Sequence, residues 1–129
     1  MQTALRLNET EKFRFMRALY SVFYRDQDIN AIEKSVLATL NQVLDVSLGN
    51  YDHYVHNDVK EIAREVNGIA DIRVRIYFMR IIHDVYLEEI KLWFKGPETK
   101  HAIRLRSIYT DLQGLVDVAT TNTNTRSNG

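Results

Sequence analysis

Apolar residues recur every three or four positions along most of this 129-residue chain, whereas alternation of apolar and polar residues over the length of a strand is nearly absent. The first spacing places apolar side chains on one face of an α-helix, and the second would place them on one face of a β-strand. Pro97 is the only proline, so few positions interrupt a helix. The pattern predicts an all-α fold, a single-domain helical bundle of about five main helices.

The helical segments have recognisable starts and stops. Two begin with Asn-x-x-Glu, Asn8 with Glu11 and Asn30 with Glu33, a capping box in which each side chain bonds the backbone N–H of the other residue. A third segment ends before Gly68, for which we predict the left-handed conformation common at helix ends. The predicted helices cover about residues 8–25, 30–48, 59–66, 69–95 and 98–119.

The fourth helix carries two apolar rows. One row is Ile69, Ile72, Ile76, Met79, His83, Tyr86, Ile90 and Trp93. The other is Val74, Phe78, Ile81, Val85 and Leu92. Two rows predict a central helix that other helices cover on several sides. This interpretation places His83 in the core.

An internal echo links the first and fourth helices. FRFMRALYSVF, from Phe13 to Phe23, aligns without gaps with IYFMRIIHDVY, from Ile76 to Tyr86. A pseudo-repeat of two helical halves would explain the match. A chance similarity between two amphipathic helices would explain it equally well.

Composition limits the class of protein. Hydrophobic residues make up 45% and charged residues 26%, which predicts one globular domain over residues 1–119. Residues 120–129 have no apolar anchor and are predicted to be disordered. Seventeen basic and seventeen acidic residues give no net charge, so we predict no nucleic-acid partner. The chain has no cysteine, no signal-peptide pattern and no apolar run of transmembrane length, so we expect a cytoplasmic protein.

The sharpest chemical question is the run Asp26-x-Asp28-x-Asn30, which opens like an EF-hand calcium loop. Such a loop also needs glycine at its sixth position and a bidentate glutamate at its twelfth. Here these positions hold Ala31 and Leu37. The EF-hand interpretation is therefore excluded.

The same region resembles another family. TerB-like (tellurite-resistance) domains have an amphipathic helix leading into Asp-Gly-x-Val/Ile-x-x-x-Glu and then a second amphipathic helix. The chain is similar to this pattern over residues 13–48, with Asp26 at the aspartate, Ile29 at the aliphatic residue and Glu33 at the glutamate. Gln27 stands where the family has glycine. The resemblance implies a pseudo-repeated, all-helical TerB-like bundle.

The resemblance also implies a function. TerB-like domains gather acidic residues from both halves at a metal site, which implies a divalent cation held by Asp26, Asp28, Glu33 and Glu89. Glu89 is the residue that the internal echo aligns with Asp26. The implied protein is a non-enzymatic module that binds a protein partner, or a second copy of itself, in a stress or tellurite-resistance-type pathway. Without any ion, the same first-half residues are accounted for as turn formers and a helix cap.

An enzymatic alternative rests on histidines. His83-Asp84, with His53 or His56 as a further ligand, resembles the ligand set of HD-type metal-dependent phosphohydrolases. Adjacent helical residues point about 100° apart, so binding one metal through both His83 and Asp84 would require a break in the helix. We therefore favour a non-enzymatic protein.

Arginines cluster in the fourth helix at Arg73, Arg75 and Arg80, as in a phosphate-binding patch. Acidic neighbours such as Asp71 and Asp84 favour a mixed-charge, solvated face instead.

Overall fold

Five α-helices form the architecture. The computed structural model describes residues 7–24, 29–46, 55–91 and 100–118. The helices are α1 (Glu9–Phe23), α2 (Ala31–Leu44), α3 (Val59–Asn67), α4 (Ile72–Lys91) and α5 (Lys100–Gln113). The described ranges contain no β-strand, which confirms the all-α prediction. Among the described helices, none is both long and apolar enough to cross a lipid bilayer.

Both predicted capping boxes are present. The N–H of Glu11 donates to Asn8 Oδ1 at 2.8 Å, and the N–H of Asn8 donates to Glu11 Oε1 at 3.2 Å. The pair of Asn30 and Glu33 forms the same two bonds at 2.9 and 3.0 Å. These bonds satisfy N–H groups that have no partner within the helix. Glu11 Oε2 also accepts the N–H of Ala70 at 3.0 Å, which ties the start of α1 to the turn before α4.

Two helix ends differ from the prediction. Gly68 follows α3 as expected, but its φ of −75° lies in the right-handed region, so the predicted left-handed glycine is wrong. α2 ends at Leu44 rather than near residue 48. There Asp45 adopts the left-handed conformation, with φ of 54°. A short polar side chain that bonds locally makes this conformation accessible to aspartate.

Space explains the glycine at position 68. A Cβ atom on Gly68 would overlap the guanidinium of Arg14, lying 2.6 Å from Cζ and 2.9 Å from Nε. The same guanidinium reaches Glu65, with 3.2 Å between Nη1 and Oε1. Gly68 therefore leaves room for an ion pair between α1 and α3.

The effect of Gly68→Ala is expected to depend on Arg14. In the wild-type chain the new methyl group displaces the guanidinium from Glu65. In an Arg14→Ala background the three atoms nearest to the new methyl group are removed, and alanine is expected to stabilise the fold by about 0.4–1 kcal/mol because it restricts the unfolded chain. Urea unfolding of the wild type, both single variants and the double variant gives the free energy of unfolding of each. The change caused by Gly68→Ala should be about 1 kcal/mol more favourable in the Arg14→Ala background than in the wild-type background. Equal effects in both backgrounds would contradict this explanation.

The core lies between α1 and α4, with the other helices packed around it. Phe15 of α1 and Phe78 of α4 have no exposed surface, and their rings meet edge to face with centroids 5.5 Å apart. α2, α3 and α5 contribute Leu37, Val66 and Leu112, all buried. The bundle therefore has one continuous apolar interior.

The internal echo follows this core. Phe15, Met16, Leu19 and Val22 are buried, and so are the residues aligned with them in α4, which are Phe78, Met79, Ile82 and Val85. Two amphipathic helices of equal apolar spacing would bury the same positions without any repeat. A pseudo-symmetric origin remains a prediction.

α4 is covered on one of its two apolar rows only. The buried row contains Val74, Phe78, Ile81 and Val85. In the other row Met79 is buried, but Ile76 is 45% exposed and Ile90 is 36% exposed. His83 is also exposed, so the prediction of a core histidine is wrong. α5 packs against α4, and Ile76 and His83 lie on the side of α4 beside this contact.

Candidate functional site

The predicted metal residues divide between described and undescribed parts of the chain. Asp26 and Asp28 lie outside the described residues. Glu33 and Glu89 are both buried, with 2% and 3% of their surface exposed. Asn30 joins them, because its backbone N–H donates to Glu33 Oε1 at 3.0 Å and its side-chain amide Nδ2 donates to Glu89 Oε2. The structure therefore brings together the two predicted metal residues that it describes, since both bond Asn30.

These two carboxylates do not by themselves form a metal site. His101 is the next potential ligand, with Nδ1 at 3.7 Å from Glu33 Oε1. Within the described residues, no three histidine, aspartate or glutamate side chains are arranged to hold a metal ion. The oxygens that face Asn30 already accept N–H donors, which a cation would have to replace. The described residues therefore fit two carboxylates that each accept a hydrogen bond from Asn30, and a cation site would depend on Asp26 and Asp28.

The histidines of the enzymatic alternative occupy separate environments. His53 lies outside the described residues. His56 Nε2 is 2.8 Å from Oε2 of Glu65 in α3. His83 instead faces α5, where its ring centroid is 5.4 Å from that of Tyr109. In the part of the chain that the structure describes, His83 and Asp84 belong to no group of potential metal ligands.

A buried ionic cluster centred on Glu65 was missed by the sequence analysis. Glu65 is 7% exposed. Its Oε1 accepts from Arg14 Nη1 and from Arg17 Nη2, both at 3.2 Å, while its Oε2 faces His56. Ser21 supports His56, because its Oγ accepts the His56 backbone N–H at 2.9 Å. The signal in the sequence was a charged residue on the apolar face of α3, beside Ile62, Ala63 and Val66, which are buried.

Two of the three arginines of α4 bond within the chain, which argues against a phosphate-binding patch on this helix. Arg75 donates to the backbone oxygens of Ile69 at 2.7 Å and Asp117 at 2.8 Å. Arg73 pairs with Asp71, with 3.0 Å between Nη2 and Oδ2. The mixed-charge interpretation is therefore supported at Arg73, whereas Arg75 is held by backbone carbonyl groups.

Asp71 also caps α4. Its Oδ1 accepts the N–H of Arg73 at 2.9 Å, and its carbonyl oxygen accepts the N–H of Val74 at 3.0 Å. The side-chain hydrogen bond from Arg73, followed by its backbone N–H, holds the pKa of Asp71 below the ordinary value of 3.8. Both bonds favour the charged carboxylate.

Asp71→Ala is expected to lower the free energy of unfolding by about 1 kcal/mol at neutral pH, because the cap is lost. Since the folded pKa of Asp71 is lowered, its charge stabilises the fold above the ordinary pKa, and this contribution is lost as pH falls through the folded pKa. Urea unfolding should therefore show the difference between variant and wild type shrinking in acid. Asp111→Ala, at an exposed position of α5, is the control. A difference for Asp71→Ala that does not vary with pH would contradict the capping role of the charge.

A groove of about 600 Å³ runs between α4 and α5. Its lining residues are Ile76, Met79, Arg80, His83, Asp84, Leu87, Tyr109, Gln113, Val116 and Val118. Met79 and Val116 are buried, whereas Leu87 is 41% exposed and Val118 is 37% exposed. The groove therefore combines an apolar lining with charges of both signs. Half of the groove was predictable from the sequence, since the row through Ile76 was recognised as apolar. That row was assigned to the core and not to an exposed surface.

No family model, no curated protein and no solved structure matches the chain. Its function is therefore inferred from the chain's own residues.

Proposed function

We propose that this chain is a non-enzymatic, TerB-like helical module that binds a protein partner through the groove between α4 and α5. The observation that carries the proposal is the set of exposed apolar side chains that line this groove. Ile76, Leu87 and Val118 are each more than one third exposed. Apolar side chains gathered on one open surface are typical of protein interaction sites.

The form of the groove suits a helical partner. Six α4 residues line it, at positions 76, 79, 80, 83, 84 and 87. This spacing of three, four, seven and eight residues is that of one helix face, and grooves of this kind bind the apolar face of an amphipathic helix. Arg80 and Asp84 add charges that would orient such a helix.

The enzymatic alternative has no comparable support. A diverged HD-type hydrolase would use His53 or His56 together with His83 and Asp84. His56 contacts Glu65, whereas His83 and Asp84 line the groove. The groove residues are better matched to binding than to metal chemistry.

The TerB-like resemblance supports a role in a stress or tellurite-resistance-type pathway, and the lack of cysteine supports a cytoplasmic location. The resemblance also supports a divalent-cation site on Asp26, Asp28, Glu33 and Glu89. If that site binds a divalent cation, calcium or another such ion should raise the melting temperature of the chain, and Asp26→Ala should remove the rise. No rise with any divalent cation at millimolar concentration would exclude the site and leave the groove proposal unaffected.

Site-specific crosslinking tests the groove directly. A photoreactive amino acid at position 87 should form covalent adducts with a protein partner in the cells that express the chain. Val43 of α2 is the matched control, because it is an aliphatic residue, 63% exposed, outside the groove. Adducts at position 87 but not at position 43 are expected. The absence of adducts at position 87, or equal adducts at both positions, would overturn the proposal.

A further inference from the structure

Two charges in the groove have no ion-pair partner within the described part of the chain. Arg80 and Asp84 are exposed and lie one helical turn apart on α4. Among the described residues, neither has an ion pair, although charged neighbours of α4 do, as Lys91 with Glu88 at 2.9 Å and Arg73 with Asp71 at 3.0 Å. The groove therefore presents one positive and one negative charge to whatever binds there.

We propose that the partner is a second copy of this chain, bound through antiparallel packing of the two α4 helices. This inference rests on the proposed function of the groove. In a two-fold symmetric contact, if residue i of one copy meets residue j of the other, then j also meets i. With the axis midway between Arg80 and Asp84, each Arg80 faces the second copy's Asp84. Two equivalent ion pairs form.

The spacing along α4 allows both pairs to form together. Arg80 and Asp84 are separated by about 6 Å along the helix axis, and the distance is the same in both copies. The same register brings Leu87 to the level of the second copy's Tyr77. Leu87 is 41% exposed, and Tyr77, which stacks on Phe15 and lies outside the groove lining, is 38% exposed. The exposed part of each side chain is available for an apolar contact beside the ion pairs.

The charges also select the orientation. A parallel arrangement would place Arg80 beside Arg80 and Asp84 beside Asp84, which is repulsive. The formal net charge of the chain is zero, so two copies approach without long-range repulsion. Arg80 and Asp84 therefore favour the antiparallel arrangement over the parallel one.

Charge exchange between positions 80 and 84 is the test. Sedimentation equilibrium should show a dimer for the wild-type chain. Arg80→Asp and Asp84→Arg should each weaken the dimer at least about 100-fold, since each places like charges at two symmetric contacts. The double variant Arg80→Asp/Asp84→Arg restores both pairs and should dimerise as the wild type does.

Mixing the two single variants gives a second, independent readout. The Arg80→Asp chain carries two acidic residues at these positions and the Asp84→Arg chain carries two basic ones, so an equimolar mixture should form a heterodimer. Lys34→Glu, at an exposed position of α2, is the control and should leave the dimer unchanged. Circular dichroism of the double variant checks that both substitutions are compatible with the fold.

Two results would overturn the inference that a second copy binds. One is a wild-type chain that stays monomeric at every concentration measured by sedimentation. The other is a pair of single variants that dimerise as the wild type does. If crosslinks from position 87 then attach only to a different protein, the proposed function stands without self-association. If position 87 forms no crosslinks, both proposals are wrong.

Discussion

Glu65→Ala is expected to lower the free energy of unfolding by about 2–3 kcal/mol. The substitution leaves the guanidinium groups of Arg14 and Arg17 and the ring of His56 without the carboxylate that they share. Removing one partner from a fully buried ion pair costs about 3–5 kcal/mol. The side chains of Arg14 and Arg17 are 33% and 30% exposed, so water offsets part of that loss.

Glu61 provides a matched control on the same helix. It pairs with Arg64 in solvent, where the two side chains are 40% and 70% exposed. Glu61→Ala should therefore cost less than about 1 kcal/mol. Guanidinium unfolding followed by circular dichroism measures both variants. Similar losses for the two substitutions would show that the Glu65 cluster contributes no more than a surface pair.

Asn30→Ala is expected to be nearly as destabilising, at about 2–3 kcal/mol. Loss of the N-cap of α2 contributes about 1 kcal/mol. Loss of the amide donor leaves Glu89, which is 3% exposed, without its bond to Asn30. An unsatisfied buried polar group adds about 1–3 kcal/mol. Water that reaches Glu89 in the variant reduces the sum of these two losses.

Serine and aspartate at position 30 separate these two contributions. Both residues cap a helix about as well as asparagine, so the start of α2 is retained in each variant. Asn30→Ser lacks the amide donor, while Asn30→Asp also places a second carboxylate against Glu89. We expect Asn30→Asp to be clearly less stable than Asn30→Ser in urea unfolding. Equal stability of the two variants would mean that the buried carboxylate of Glu89 does not interact with residue 30.

The fold could be predicted where the information is local. Asn8 and Asn30 begin helices because each bonds an N–H three residues ahead, and this requires only the sequence around the cap. Gly68 shows the limit of local reasoning. Its position after α3 was predicted, but its purpose depends on Arg14, which is distant in sequence.

The choice between the two apolar rows of α4 could not be predicted. Both rows repeat every three or four residues, so spacing alone does not distinguish the row that is buried from the row that is exposed. Only the tertiary contacts decide which row is covered: Phe78 is buried against Phe15 of α1, and Ile76 is exposed in the groove beside α5. The groove, and His83 within it, follow from that tertiary contact.

The acidic pair was partly predictable. Glu33 followed from the cap and from the TerB-like pattern, and Glu89 followed from its alignment with Asp26. Neither argument identified the amide of Asn30 as the group between them, because that bond joins residues 59 positions apart. The two carboxylates could be predicted from the sequence, but the residue that donates hydrogen bonds to both of them could not.

The central claim is that the groove between α4 and α5 is a binding surface that a second copy of the chain occupies. Nuclear magnetic resonance of the isotopically labelled chain, followed from micromolar to millimolar concentration, tests it most directly. The account predicts amide shifts that depend on concentration and are confined to residues 76–87 and 109–118, with none in α2. Spectra that do not change with concentration, or changes centred on α2, would contradict it.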